Sequence, residues 1–356
     1  MKEFEIQKYL RKGRILPVTP RPLPPDCRDF IVIPACDELE HFEAVCNSLP
    51  ALEGVEKAAV LFVVNHPQGA AEQIIRNNEL LIGKLSRTPF FCMAAPDLTQ
   101  GVGEARKLGF DAVIAALPPE ALEETVLYSL DADTVVEKEY LNSVRNVLLK
   151  SSAGAVAVGV SHQTGDTPEM EHAIRKYERY MDRYVDRLRT VHSPYAFHTI
   201  GSAFAVRGDV YVRSGGMRLR QAGEDFYFLQ AVAKSYGVTE LAANLVHPSP
   251  RFSHRVPFGT GRAVEQLLNG EPLNEIPDEP FLVLKEVLNC GHSGKADFYG
   301  ELPAVARPFF EQLKFQENWA RIVKNTPQSQ LAVAFDRWFD GLQTLRFLHF
   351  LQENMP

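Results

Sequence analysis

Two aspartates stand two residues apart in "LYSLDADTVV", residues 127–136, directly after an apolar run. Carboxylates are costly to bury alone, so Asp131 and Asp133 need a cation, a hydrogen-bond donor or solvent. One of them could ligate a hard divalent cation while the other holds a ribose hydroxyl or a metal-bound water. Magnesium or manganese suits such oxygen ligands, and bridged to a diphosphate it would offset the charge building on a leaving group. A structural reading stays open: the pair could cap the turn, with Asp133 or Thr134 as N-cap of a helix at 137.

Three further segments carry reactive side chains. "QAGEDFYFL" places Glu224 and Asp225 beside a glycine at a helix start, where a carboxylate could act as general base on an acceptor hydroxyl or simply complement the helix dipole. "HPSPRFSHRVPFGTG" offers His247 and His254 as a further metal ligand, of which His254 is favoured. Arg251 and Arg255 flank it and could grip phosphate oxygens, while Gly259 and Gly261 would let the loop close over a ligand. "LTQGVGEARKLG" sets glycines before a helix, which suits anion approach at its N-terminus. Arg106 is expected to face inward there, with Lys107 beside it in the crevice or in solvent.

These residues need a frame. From residue 29 apolar runs alternate with helical spacing: "FIVIPA", "AAVLFVVN", "FFCMAA", "ETVLYSL" and "AGAVAVGV" read as strands between amphipathic segments. That alternation predicts an α/β fold with a mainly parallel sheet and helices on both faces. Ligands in such sheets sit beyond the carboxyl ends of the strands. Pro34, Asn65 and Asp131 each follow the last apolar residues of a different strand, so all three can reach one crevice.

"PEMEHAIRKYERYMDRYVDRLRTV" predicts a long helix with Ile174, Tyr177, Tyr180, Met181, Tyr184, Val185 and Leu188 as its stripe. Five prolines near the end of residues 1–28 exclude regular structure and predict a surface arm. "RVPFGTGRAVEQLLNGEPLNEIPDEP", residues 255–280, predicts a mobile loop with at most one short helix, and helical patterning dominates from 281 on, so that 257–356 reads as loop and helical extension after a domain of 29–256.

The chain's 356 residues suit one large α/β domain with an extension. A net charge of -7 and a pI of about 5.9 argue against a general nucleic-acid binder. Five scattered cysteines without a CxxC support neither a disulfide framework nor a zinc knuckle. The first residues lack the apolar core of a signal peptide, and no uncharged run approaches the ~18 residues of a membrane span. A cytoplasmic setting is the default expectation.

The order "FIVIPACDE", "LFVVN", "GVGEARKLG", "LYSLDADT", "GSAFAVR…SGGM…AGEDFYF" resembles the family 2 glycosyltransferases of GT-A fold, over roughly residues 29–256. The resemblance implies a Rossmann-like sheet and sugar transfer from a nucleotide-diphosphate donor with Mn2+ or Mg2+. It implies that Pro34, Ala35 and Glu38 line the nucleotide site, that Asp131 contacts the ribose or base region, and that Asp133 holds the metal. It implies Asp225 as catalytic base. The family usually ends its second strand with a base-reading aspartate; here Asn65 stands there, which leaves UDP versus GDP open. No QxxRW follows the ED pair, which speaks against a processive polysaccharide synthase.

The C-terminal hundred residues lie outside the resemblance and could serve acceptor binding, a homodimer contact or packing alone. Two rival functions remain. "SLDADTVV" also fits the DxDx[TV] pattern of haloacid-dehalogenase-type phosphatases, although that motif should end the first strand of its domain. A sugar-nucleotide binder without turnover is the other.

Overall fold

Seven consecutive buried residues make the first strand, β1 (Asp29–Ala35). A strand apolar on both faces has to lie inside a sheet covered by helices on both sides. The computed structural model describes residues 1–11, 19, 21–220, 222–251 and 259–355. In chain order the elements are α1 (Glu3–Leu10), β1, α2 (Phe42–Ser48), β2 (Ala58–Pro67), α3 (Glu72–Leu85), β3 (Phe91–Leu98) and α4 (Val102–Ala116). There follow β4 (Val126–Ser129), β5 (Val135–Val136), α5 (Tyr140–Lys150), β6 (Ala155–Val160), α6 (Pro168–Thr190), β7 (Phe204–Arg207), α7 (Gly208–Arg213), α8 (Glu224–Tyr236) and β8 (Val238–His247). The chain ends in α9 (Thr260–Leu268), α10 (Asp278–His292), α11 (Arg307–Gln312), α12 (Phe315–Lys324), α13 (Leu331–Trp338) and α14 (Gly341–Asn354).

The strands form one eight-stranded sheet in the order β3-β2-β1-β4-β7-β6-β8-β5. β3, β2, β1 and β4 run parallel; β7 is antiparallel to β4 and β6; β8 is parallel to β6, and β5 antiparallel to β8. This is the mixed, mainly parallel α/β architecture expected from the alternation. Register sets the carboxyl ends of β1, β2 and β4 side by side, with Ala35 opposite Val64 and Val32 opposite Ser129. Glu38 and Asp131 follow β1 and β4 at these ends, and Asn65 lies near the end of β2, still paired with Ala95 of β3.

The chain divides into two compact units. One comprises residues 1–177 and 197–271; the other, residues 178–196 and 272–356. The division therefore falls inside α6 and after residue 271, rather than at 256. The reason lies in what α6 buries. Met170, Ala173 and Ile174 pack with Val264 in the first unit, whereas Leu188 belongs to the core of the second. That second core is aromatic, with Phe298, Phe310, Phe315, Trp319, Phe335 and Phe339 ring against ring.

Two further expectations change. The arm of residues 1–28 contains α1, because its prolines begin only at residue 17 and leave the first turns free to form. The helix anticipated at 137 starts instead at Tyr140 with Glu139 at its N-cap, so neither Asp133 nor Thr134 caps it. The stretch from 257 carries one helix, α9, among its described residues.

In the first unit α4 crosses β1 and β2 closely because it carries Gly109. A Cβ there would collide with Val32 Cγ1 and come within 2.8 Å of Val63 Cγ2, both on buried strands. We expect Gly109→Ala to cost about 1–3 kcal/mol through overpacking. Urea denaturation would measure it, and an unchanged midpoint would remove this account of the contact.

Candidate active site

The crevice at the strand ends is organised by arginines. Arg106 lies one turn into α4, and its side chain is 3% exposed. Its Nη2 donates to Asp131 Oδ1 after β4, and its Nη1 donates to Glu224 Oε1 at the start of α8. Gly201 lies flat against the guanidinium, where a Cβ would come within 2.8 Å of Nη2. Gly103 leaves room for Glu224 in the same way, since a Cβ there would sit 2.8 Å from Glu224 Cβ. The glycines of "GVGEARKLG" thus allow side chains to approach. In the loop before α4, Glu104 Oε2 accepts from the amides of Thr99 and Gln100 at 2.8 and 3.0 Å, which places a carboxylate beside the start of the helix. Burial alone would lower the Arg106 pKa, but the charges of Asp131, Glu224 and Asp225 outweigh it and hold the group cationic.

Arg251 does similar work on the other side. Its Nε donates to Asp133 Oδ2 and its Nη2 to Glu38 Oε1, both at 2.6 Å. Burial first, then the charge of Asp131, pushes the Asp133 carboxyl up, while Arg251 pulls it back. Glu38 is buried just past β1 and Asp133 just past β4, so Arg251 bridges neighbouring strand ends.

Asn65 ends the apolar run of β2. Its Nδ2 donates to the carbonyls of Val63 at 3.0 Å and Ala35 at 3.3 Å, which fixes the amide and leaves Oδ1 as its polar atom for a ligand. Buried Asn78 on α3 secures the loop beside it, donating to Asn65 O and accepting from the amide of Asp37, which sits at φ +58°. Pro34 and Ala35 are buried strand residues and contribute backbone here.

Glu224 and Asp225 open α8 after Gly223, whose φ of +72° turns the chain into the helix. The two acids differ. Glu224 is spent on Arg106, whereas among the described residues Asp225 Oδ1 accepts the amide of Phe226, at 2.7 Å, and no cation. Burial first and then the adjacent Glu224 charge push Asp225 up to about 7, against the pull of Arg106. Asp131 adds to the same rise, which places the carboxylates of β4 and α8 in one electrostatic field.

Other candidates lie elsewhere. His247 has both ring nitrogens occupied, Nδ1 with Ser161 O at 2.7 Å and Nε2 with Glu137 at 3.0 Å, so it fastens β8 and is not poised for a metal. Lys107 turns to Asp111 and Tyr9 under α1. A cavity of about 350 Å³ beside these residues holds none of the crevice carboxylates. His254 and Arg255 fall outside the described residues.

Among the described residues no group of three His, Cys, Asp or Glu side chains could hold a metal by itself. Among the described residues the arginine pairings leave Asp131 Oδ2 and Asp133 Oδ1 over, the latter meeting Thr134 Oγ1 at 3.4 Å. Two carboxylate oxygens fit Mg2+ or Mn2+, which commonly take one or two carboxylates and complete their shell with phosphate and water. Sequence reasoning missed the Arg251–Glu38 bridge, which spans more than two hundred residues. It also missed Gly201 as the seat of Arg106 and Asn78 as the prop of Asn65. A polar "NN" inside the amphipathic α3 was the visible sign of the last.

No family model matches the chain, and no curated protein matches its sequence. Among solved structures it is similar to Staphylococcus aureus TarS in complex with UDP-GlcNAc, at 13% identity over 84% of this chain and 90% of that one, with a TM-score of 0.48. It is also similar to the mannosyltransferase PcManGT from Pyrobaculum calidifontis in complex with GDP-Man and Mn2+, at 14% identity over 95% and 94% of the two chains, with a TM-score of 0.43. No activity carries over to this chain from likenesses so distant.

Removing the Arg106 guanidinium would leave buried Glu224 and partly buried Asp131 without a counter-charge. Arg106→Met should cost about 3–5 kcal/mol at neutral pH, the range for a broken buried pair. Arg106→Lys, which keeps the charge, should recover part of that loss. Denaturant melts of both variants at neutral pH would check this; equal losses would point to packing instead.

Proposed function

We propose that this protein is a glycosyltransferase of GT-A type, similar to family 2, that moves a hexosyl group from a nucleotide diphosphate to an acceptor hydroxyl with inversion. The observation that carries the proposal is one crevice holding Glu38, Asn65, Asp131 and Asp133 at adjacent strand ends, tied through Arg106 to the acid pair of α8. An enzyme of this kind needs a donor site and a base site held at fixed separation. One buried guanidinium joins the two.

In this reading the base of the nucleotide lies over the end of β2. Asn65 offers only its carbonyl oxygen, which accepts from an imino N–H of uracil or guanine and finds no donor at N3 of cytosine or N1 of adenine. Asp131 takes the ribose side. Asp133 and Asp131 would hold a divalent ion through their remaining oxygens, and that ion would supply positive charge to the departing diphosphate. The crevice calls for such a charge: five carboxylates face two guanidinium groups among the residues described. An anionic donor alone would meet net repulsion there.

Asp225 acts on the acceptor. It removes the hydroxyl proton as that oxygen bonds to the anomeric carbon and the bond from that carbon to the phosphate oxygen breaks. A carboxylate near 7 is better matched to this task than an ordinary one near 4. Glu224 raises it by proximity, and Arg106 keeps it from rising further.

Four outcomes are expected. Asp225→Asn should lower kcat by about 10²–10⁴, the span of general-base contributions, while UDP or GDP binding with Mn2+ persists; unchanged turnover would remove the assignment. In the wild type, kcat/KM should climb as pH rises through about 7, where Asp225 loses its proton. The linked stability has the opposite sign. A carboxyl whose folded-state pKa is raised favours the fold at low pH, and that contribution is lost as pH rises through about 7. Asp225→Asn, neutral throughout, should therefore melt higher than the wild type at pH 8, with the gap narrowing as pH falls through about 7 and closing only below the ordinary carboxyl value of 3.8. A thermal-shift panel of UDP, GDP, CDP and ADP, each with and without Mn2+, tests the donor site; preference for CDP or ADP would overturn the role of Asn65.

A further inference from the structure

Arg251 occupies ground that a divalent ion would claim. Its two 2.6 Å bonds engage Asp133 and Glu38 at once, a single positive charge set against two carboxylates, of which Asp133 is the one proposed to take a metal. Arg106 is different in kind: it is buried and fastened between two elements, so it stays when a ligand arrives. Arg251 is about a quarter exposed, and a long arginine side chain can swing. Five N–H donors on a guanidinium also exceed the two used here, so it can serve a phosphate without leaving the crevice.

We propose that Arg251 is an exchangeable counter-ion, which holds Asp133 and Glu38 while no donor is bound and passes to the diphosphate when a divalent cation takes Asp133. The inference rests on the reading of the crevice as a metal–diphosphate site. Its physical content is competition. A +1 charge within hydrogen-bond distance of Asp133 opposes the arrival of a +2 ion at the same carboxylate. A diphosphate relieves that opposition by giving the guanidinium another anion to pair with. Metal and nucleotide therefore reinforce each other through Arg251, and by linkage the effect is reciprocal. The exchange also keeps the ion from lodging in the crevice without a donor.

The test is Mn2+ binding followed by electron paramagnetic resonance of the free ion, without and with UDP or GDP. Wild type, Arg251→Gln, Arg251→Lys and Arg76→Gln are compared. Arg76 is an exposed α3 residue paired with Glu72, so its variant removes the same charge at a distance from the crevice. Arg251→Gln should bind Mn2+ alone at least about tenfold more tightly than wild type, since one unit charge beside the carboxylate has gone. The gain in Mn2+ affinity on adding nucleotide should shrink in that variant. Arg251→Lys, which keeps the charge but cannot bridge both carboxylates, should fall between, and Arg76→Gln should match the wild type.

Metal affinity unchanged within twofold in Arg251→Gln, with Mn2+ and nucleotide still binding together to the wild type, overturns the exchange and leaves the donor site standing. Failure of every protein to bind Mn2+ even with nucleotide overturns the exchange and the metal–diphosphate reading together. Arg251→Glu is the second variant should Arg251→Gln fail to fold: it adds a ligand in place of the cation and should tighten Mn2+ further, and weaker binding there counts against the exchange. Circular dichroism confirms the fold of each variant before titration.

Discussion

A buried guanidinium cannot give up its charge, so the protein must meet Arg106 with anions or lose the fold. It meets that need with Asp131, half outside the crevice wall at 39% exposure, and with Glu224, sealed at 5%. Much about the crevice follows from that one demand. The carboxylate after β4 is turned toward α4, the first turn of α8 is drawn to the same spot, and Gly201 and Gly103 are the side-chain-free positions that let the three meet. The contact joins segments 25 and 118 residues apart along the chain. Its contribution is better seen as specifying geometry than as adding stability, because desolvating three charges offsets most of their attraction.

That arrangement gives two adjacent carboxylates different lives. Glu224 is consumed as a counter-ion. Asp225, next to it, meets the Phe226 amide among the described residues, and burial together with its neighbour's charge raises it into the range where it can both take and release a proton near neutral pH. Environment, not residue type, separates the roles, as it does wherever two acids share a site. The same logic distinguishes the arginines: Arg106 is sealed between two elements, whereas Arg251 keeps about a quarter of its side chain exposed.

The position of "LDADT" in the sheet also weighs between functions. A phosphatase of the haloacid-dehalogenase type would carry that motif after the first strand of its domain, with the leading aspartate open for attack. Here it follows β4, three strand–helix units into the chain, and the leading aspartate is bound to Arg106. The second unit, with its interleaved aromatic rings, carries none of the crevice residues described.

Local sequence determined the alternation of strands and helices, because apolar runs such as "FIVIP" and "VLFVV" cannot be satisfied except inside a covered sheet. It set Asp131, Asn65 and Pro34 toward the carboxyl ends of neighbouring parallel strands, although Pro34 and Asn65 stay inside β1 and β2 and only Asp131 lies past its strand. It also picked out the acid pair at 224–225 by its glycine and its helix start. Who pairs with whom was decided only by the tertiary structure. Whether His247 was a ligand or a fastener, whether Gly103 admitted an anion or a side chain, and whether Arg251 met phosphate or Glu38 all turn on contacts between distant segments. The helix at residues 3–10 shows the local limit as well: prolines that begin at 17 say nothing about the turns before them. Periodicity is a one-dimensional property and survives in the chain as written; ion pairing depends on distances that exist only after the sheet has closed.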